Sequence, residues 1–527
     1  MDQLFDVAII GYGPTGATIA NLLGLEGIKT VVIERDADIF DQPRAIGFDH
    51  ETMRVFQAAG VTDDIMPATA PMASTHYIGA KGQVIREFHQ MPLPHPFGWE
   101  PNFTFDQPGL EKGLRDGVER QATVDVFTRH EMESFEEHVD HVSLSVRDLD
   151  TNTVKEFNAK YVVACDGASS PTRNALGIIF EDLGFDEPWL VVDVYADNID
   201  ELPQVNQQIC NPDRPMTFIV GPNNHRRWEI MLMPGETPEE IDQLPRIYEL
   251  IAEFGKPEQF EIRRSATYRF HALVAATWRK GRVLLAGDAA HQTPPFIGQG
   301  MCQGIRDASA VSWRLKSILI DGISDAILDS YTTERKPHVE TTTMRTKGLG
   351  EEICMLDHEK AAERDTILEQ ELKDGTQNVF RQGLIPPLEH GSFDFSGISG
   401  VGTLARQPKV TQENGDEGLL DDIAGSNFWI VQNPAKEGVV LSDAQESFWQ
   451  KISGQVICMN KSGASLSTGE SGTLNVSDVD GLMIDYFDDQ DCAAIIVRPD
   501  RYIYGIVKSQ EDLDRQIESI QDWMAAG

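Results

Sequence analysis

Apolar residues fall in short runs separated by glycine, proline and charged turns, and the runs carry two different periods. Residues 5–10 form one continuous apolar stretch of strand length. Residues 17–25 follow with helical spacing, and Gly27 is placed to stop them. Residues 30–33 are β-branched and apolar, and Glu34 closes the run. The pattern predicts strand, tight turn, helix, strand, which is how a βαβ unit begins. Residues 186–270 read differently. Strand-like runs at 189–195, 217–220, 228–233 and 260–270 are parted by turns such as Gly221-Pro222-Asn223-Asn224 and Pro234-Gly235. They predict a mostly antiparallel sheet that covers something. A buried-strand pattern returns at 281–286, and a long helix is expected over about 304–320.

The expected fold class is therefore α/β, with a Rossmann-like dinucleotide domain split in sequence. Residues 1–185 and 271–340 would form it, with 186–270 inserted as a substrate domain to which parts of 70–105 can also belong. Residues 341–402 read as a charged helical segment followed by a linker, rich in Gly, Pro and Ser from Gly383 to Gly402. Residues 403–527 offer further strands at 428–431, 456–459, 493–497 and 502–507. Their final helix puts Leu513, Ile517, Ile520 and Met524 on one face.

Charge narrows the partners. With 45 Lys and Arg against 84 Asp and Glu, the net charge is −39. Such a surface repels nucleic acid and anionic membranes, and a carboxylate-bearing ligand would need local cationic help. Mean hydropathy is −0.30, and no run of eighteen apolar residues suggests a membrane span. Met1-Asp2 leads straight into the first strand without the basic and apolar stretches of a signal peptide. Six scattered cysteines form no CxxC pair, which argues against a disulfide framework, a metal site or a dithiol centre and favours a reducing cytoplasm.

Three motifs carry chemistry. Gly11-Tyr12-Gly13-Pro14-Thr15-Gly16 lies between the first strand and helix. Its glycines allow a tight turn and let the backbone approach a pyrophosphate, which the helix N–H groups attract. Glu34 stands where a carboxylate accepts from ribose hydroxyls, so FAD or NAD suits the site better than NADP. Gly400-x-Gly402-x-x-Ala405 fits the same pattern but follows no strand and reads as a loop. Gly287-Asp288 follows a buried strand, and Asp288 can accept from sugar or ribityl hydroxyls. Pro294-Pro295 then stiffen the chain before Gly298-Gln299-Gly300-Met301 opens a helix whose N-terminus suits a reduced flavin ring. His291 admits two roles, a general base or a brace for the turn. Asp166-Gly167 ends another strand, with Ser169, Ser170 and Arg173 beyond it.

Together these motifs resemble those of the class A flavoprotein monooxygenases, typified by para-hydroxybenzoate hydroxylase and phenol hydroxylase. Arg44 in Pro43-Arg44-Ala45, Gln107 in Phe105-Asp106-Gln107-Pro108 and Tyr331-x-x-Glu334-Arg335 extend the resemblance over residues 4–390. Residues 403–527 look like the thioredoxin-like domain of phenol-hydroxylase-type members, without redox cysteines. Arg227-Trp228-Glu229 and the Pro-Pro-Phe-Ile-Gly-Gln-Gly-Met turn look most like 3-(3-hydroxyphenyl)propionate hydroxylases. Cys302 departs from the asparagine of many relatives.

The resemblance implies FAD as cofactor, NADH or NADPH as reductant, and O2. Reduced flavin captures oxygen as a C4a-hydroperoxide that attacks an electron-rich ring carbon. It implies FAD contacts from Gly11, Gly13, Pro14, Thr15, Gly16, Glu34, Arg35, Arg44, Gln107, Asp166, Gly287 and Asp288. The turn of Gly298, Gln299, Gly300, Met301 and Cys302 would hold the flavin pyrimidine end. The Pro295 carbonyl would accept from the substrate hydroxyl. No metal is required. A monocyclic phenol hydroxylated ortho to its hydroxyl is the expected substrate, with a phenylpropionate-like acid favoured, and a homodimer is possible. Trp228, Ile230 and Leu232 share one strand face, either the pocket wall or core. His225, Arg226 and Arg227 are either carboxylate partners or a solvated turn. Two alternatives stand beside this reading. One is an epoxidase or polyketide-tailoring oxygenase, and the other a non-catalytic flavin-fold protein.

Overall fold

The computed structural model describes residues 4–377, 379–396, 399–463 and 472–525. Met1 and Asp2, and residues 397 and 398 of the linker, lie outside them. The first sheet has eight strands. Its parallel core runs, in spatial order, Val283–Leu285, Thr153–Ala164, Leu4–Ile10, Thr30–Ile33 and Val124–Phe127. The core strands are continuous apolar runs because both faces are covered, and Val7, Ala8, Ile9, Val31 and Val32 are fully buried. Helix Pro14–Leu25 leaves the first strand and packs on Gly300–Leu319 and Gln107–Glu119. The helix expected from residue 304 thus begins four residues earlier, so its N-terminus reaches the Gly298 turn.

The second sheet also has eight strands. Phe180–Ala196 and Phe260–Ala275 pair antiparallel along most of their length, and His225–Met231, Met216–Val220 and Asn206–Ile209 follow outward. Thr75–Ile78 pairs parallel with Asn206–Ile209, and Val84–Phe88 forms the edge. One face carries Leu190, Val192, Val194, Phe218, Trp228 and Ile230, which pack on Ile247 and Ile251 of the helical excursion between the strands. The other face overlies the dinucleotide domain.

The described residues between 404 and 525 build a seven-stranded sheet on whose faces helices Asp443–Lys451, Leu482–Gln490 and Gln510–Ala525 pack. Trp429–Gln432, Gln455–Lys461 and Thr473–Asp478 are parallel, and Ala494–Val497 and Ile503–Val507 return antiparallel. Buried ion pairs tie this unit to the rest. Asp421 binds Arg54 at 2.7 Å and Arg501 at 2.9 Å, while Arg498 binds Glu334 at 2.8 Å. Gly400 and Gly402 have φ of +103° and +75° and turn the linker into this sheet, with no helix following.

Candidate active site

The dinucleotide loop shows which glycine serves geometry and which leaves room. Gly11 has φ +100°, and a Cβ there would strike the Cys165 carbonyl. A Cβ on Gly16 would strike the Gly11 carbonyl. Gly13 has φ −74° and ψ −173°, and a Cβ there would meet nothing within 4 Å. The space before the helix N-terminus is therefore open in front of Gly13, where a diphosphate would sit. Glu34 braces the loop by accepting from the Tyr12 N–H at 2.7 Å and the Asp36 N–H at 2.8 Å. Arg35 is exposed and loosely paired with Asp36 at 3.9 Å. The Gln107 side-chain carbonyl accepts from the Arg44 and Ala45 N–H groups at 2.9 and 2.6 Å, which sets the course of the Arg44 loop.

A cavity of about 480 Å³ opens beside this loop. Gly13, Pro14, Thr15, Arg44, Gln107 and Asp288 line one part of it, and Pro295, Gly298, Gly300 and Met301 another. Val191, Thr217, Ile219, Arg227 and Glu229 from the second sheet form the opposite wall. Asp288 is open to this cavity and crowded by protein elsewhere, and that crowding raises its carboxyl above the ordinary range. Asp166 accepts from the Thr172 N–H at 3.0 Å through one oxygen, while the other is buried without a partner. That orphaned acceptor, the open space at Gly13 and the cavity-facing Asp288 fit a dinucleotide rich in hydroxyls.

The turn Pro295–Ile297 leads to Gly298 in the left-handed conformation, at φ +63° and ψ +37°. The Gly298 N–H donates to the Pro295 carbonyl at 2.7 Å, leaving that oxygen one lone pair. Gln299 and Cys302 turn away from the main cavity. The Gln299 amide donates to Asp49 at 3.1 Å and its carbonyl accepts from Arg306 at 3.0 Å. The Cys302 thiol donates to the Gly298 carbonyl at 3.4 Å, and burial pushes it up to about 12. Only backbone at residue 302 is available to a flavin. Gly287, with φ +61°, rests against the Thr15 side chain.

Several expectations require correction. His291 does not reach the cavity lining. Its Nε2 is 2.7 Å from Asp307, which also accepts from the Gly287 N–H at 3.0 Å and Arg335 at 3.0 Å. It braces the Asp288 turn and is not placed to act as a general base on a cavity ligand. Trp228, Ile230 and Leu232 are core, because their face packs on helices while the alternate residues Arg227 and Glu229 face the cavity. His225, Arg226 and Arg227 are not a solvated turn, since all three are buried. His225 and Arg227 both bind Asp193, Arg227 through two bonds of 2.8 and 3.0 Å. Burial alone would raise the Asp193 carboxyl, but Arg227 and His225 outweigh it and hold it low. Arg227 also donates to the Arg44 carbonyl at 2.8 Å and so ties the sheet to the cofactor loop. The Arg227 guanidinium is engaged by Asp193, Arg44 and Pro43, and His225 does not line the cavity, so neither is placed for a substrate carboxylate.

Sequence reasoning missed three cavity residues. Glu229 enters the sequence reading only within the Arg227-Trp228-Glu229 resemblance. It is buried, 3.8 Å from Arg227, and its carboxyl is pushed up to about 7 by burial, with Arg227 opposing. Arg264 donates to the Pro43 carbonyl and lies 3.9 Å from Asp193. Arg381 enters from the linker side. Strand alternation marks Glu229 in retrospect, but nothing local marks Arg381. Among the described residues no group of His, Cys, Asp and Glu could hold a metal ion, and no helix is long and apolar enough to cross a membrane.

The sequence matches the model of the FAD binding domain family over residues 5–346 and that of the HcaD C-terminal domain over residues 402–522. It is 31% identical to a 3-(3-hydroxy-phenyl)propionate/3-hydroxycinnamic acid hydroxylase of Comamonas testosteroni, covering 96% of this chain and 95% of that protein. It is 32% identical to a probable NADH-specific resorcinol 4-hydroxylase of Rhodococcus jostii, covering 96% and 93%. The fold is similar to that of the flavin-dependent monooxygenase PieE (TM-score 0.82, 18% identity, 99% of both chains). It is also similar to aklavinone-11 hydroxylase (TM-score 0.78, 20% identity, 99% of this chain and 100% of that one). The chain belongs to the FAD-binding aromatic monooxygenase family, and it is an FAD-dependent hydroxylase that uses a reduced nicotinamide and O2.

Proposed function

We propose that this enzyme hydroxylates a monocyclic phenol carrying a carboxylate side chain, at the ring carbon ortho to the phenolic hydroxyl. The observation that supports it best is the shared cavity, which joins the dinucleotide loop, the Asp288 turn and the inner face of the second sheet. Relatives named for 3-hydroxyphenylpropionate and resorcinol agree on a small phenol, and the former adds the carboxylate.

Bound flavin supplies hydride acceptance from the nicotinamide and activation of oxygen for transfer to the ring. This chain's residues do the rest. The Gly11, Gly13 and Gly16 loop and the amides at Pro14–Leu25 receive the diphosphate, with Thr15 beside them and Arg44 as counter-charge. Glu34 and Arg35 serve the adenosine end, and Asp166, Gly287 and Asp288 the polyhydroxyl chain. The backbone of Gly298, Gly300, Met301 and Cys302 borders the ring system, with Gln299 holding that turn from behind. The free lone pair of Pro295 orients the phenol hydroxyl. Glu229, ionising near neutrality, accepts its proton on a carboxylate oxygen, which makes the ring electron-rich. Val191, Ile219 and Phe296 keep water from the reacting carbon.

The discontinuous division at 1–185 and 271–340, with 186–270 inserted, supports separate cofactor and substrate roles, and Thr75–Ile78 joins the substrate sheet. Residues 403–527 read as thioredoxin-like, supported by a parallel pair beside an antiparallel hairpin. Six free cysteines suit the cytoplasm. The test is a panel of phenols with and without carboxylates, scored for NAD(P)H oxidation coupled to hydroxylated product. Turnover confined to polycyclic or non-aromatic compounds would remove the substrate claim and leave the flavin assignment standing.

A further inference from the structure

Cations in the cavity wall fall into two groups. Arg227 and Arg264 share the single carboxylate of Asp193, at 2.8 and 3.9 Å. Arg269 pairs with Asp186 at 2.7 Å. Two arginines have no carboxylate partner among the described residues. Arg44 lies over the Phe40 ring at 4.5 Å, groups with Gln107 and Asp288, and belongs with the cofactor diphosphate. Arg381 is the other.

The surroundings of Arg381 are neutral or already satisfied. Its Nη1 is 2.8 Å from the Met72 sulfur, a weak acceptor, and Tyr77 and the Cys302 thiol are nearby. Asp49 is close enough to act on it, but its oxygens are taken by Arg306, Gln299 and Thr52. Burial accordingly lowers the Arg381 guanidinium below its ordinary value. The residue is nevertheless held firmly in place. Its short turn, Arg381–Leu384, is pinned by the His89 N–H on the Val379 carbonyl at 2.7 Å. Gln382 donates to the Pro101 carbonyl at 3.1 Å and Arg345 to the Leu384 carbonyl at 3.0 Å. The guanidinium is crowded by protein yet open to the cavity, and no anion in the structure around it offsets its charge.

An anion that arrives from the cavity would offset it. Arg381 borders the turn that presents the Pro295 carbonyl, since its Nη2 stands 3.5 Å from where a Cβ on Gly298 would be. The Gly298 N–H itself donates to Pro295 at 2.7 Å. One end of this short turn accepts a hydroxyl hydrogen and the other offers a forked cation, which matches a molecule with a phenol at one end and a carboxylate at the other. We propose that Arg381 binds the substrate carboxylate and sets the preference for phenolic acids over uncharged phenols. This rests on the phenolic-acid reading above and replaces the role first sought at His225 and Arg227.

The test compares kcat/KM for 3-(3-hydroxyphenyl)propionate with that for 3-propylphenol, in the FAD-loaded parent, R381M and R381K, with flavin content measured throughout. The parent should prefer the acid. R381M should lose about ten- to a hundredfold of that preference, mostly in KM, the loss expected for one charged hydrogen-bonded partner. Its rate on 3-propylphenol should stay within about twofold, and R381K should restore part of the preference. A parent without acid preference overturns the phenolic-acid reading and this proposal together. A parent that prefers the acid beside an R381M that keeps the preference overturns this proposal alone. So does an equal loss on both substrates in R381M and R381K, which would assign Arg381 to the fold or the flavin.

Discussion

Single residues in the dinucleotide loop separate folding from binding. Gly13 has extended backbone and empty space before it, so Gly13→Val should fold and lose FAD. Gly11→Val meets the Cys165 carbonyl at φ +100° and should lose the fold itself. Flavin absorbance and circular dichroism on the two variants check this, and parental flavin content in Gly13→Val would remove the assignment of that space. Glu229 makes a second prediction. Its carboxyl, pushed up to about 7, holds a proton that the unfolded chain has released, so the folded state binds more protons between roughly pH 4.5 and 7. Stability from this group therefore falls as pH rises through that window. Glu229→Gln should gain on the parent by about 2–3 kcal/mol between pH 5 and 8, read from urea melts. A pH-independent difference would show that the carboxyl ionises normally. At this scale the glycines were legible because only glycine meets those backbone and space demands. Arg381 was not, because an arginine in a polar linker carries no local sign of the cavity it enters.

Among the elements, strand His225–Met231 shows how far periodicity goes. Alternation alone separates Trp228 and Ile230 from Arg227 and Glu229, but it cannot say which face meets a cavity and which meets helices. The answer lies in residues 238–251, whose helices cover the apolar face. Ile230→Val should accordingly cost about 0.5–1.5 kcal/mol of stability with substrate preference unchanged. Ile219→Ala, on the cavity side, should raise KM or hydrogen peroxide release severalfold while the melt stays close to the parent. Denaturant melts beside steady-state kinetics decide it, and a change of preference in Ile230→Val would reverse the two faces. The first strand, helix and second strand were readable because a doubly covered parallel sheet demands unbroken apolar runs. The pairing of Thr75–Ile78 with Asn206–Ile209 was not fixed by local pattern, since it joins segments far apart in the chain.

The whole molecule is held together by buried charge that composition does not reveal. Tyr502 donates to Glu51 at 2.5 Å, Glu51 accepts from Arg306 at 2.6 Å, and Arg306 holds Asp49 and Gln299 behind the Gly298 turn. The C-terminal unit thus reaches the cofactor side through hydrogen bonds and not through sulfur chemistry. Burial pushes the Cys492 thiol up to about 11 and raises that of Cys458, so neither is a thiolate at neutral pH. Cys458→Ser with Cys492→Ser should leave turnover at the parental rate, and a folded double variant without turnover would give this unit a redox role. The central claim is that flavin and substrate share one water-poor cavity in which oxygen is transferred to a phenol. Its most direct measurement is the mass of the product formed from 3-(3-hydroxyphenyl)propionate, FAD and NAD(P)H under ¹⁸O₂. One labelled oxygen atom on the ring, with one NAD(P)H consumed for each product molecule, is the expected result. Unlabelled product, or NAD(P)H consumption that ends wholly in hydrogen peroxide across every phenol supplied, would contradict it.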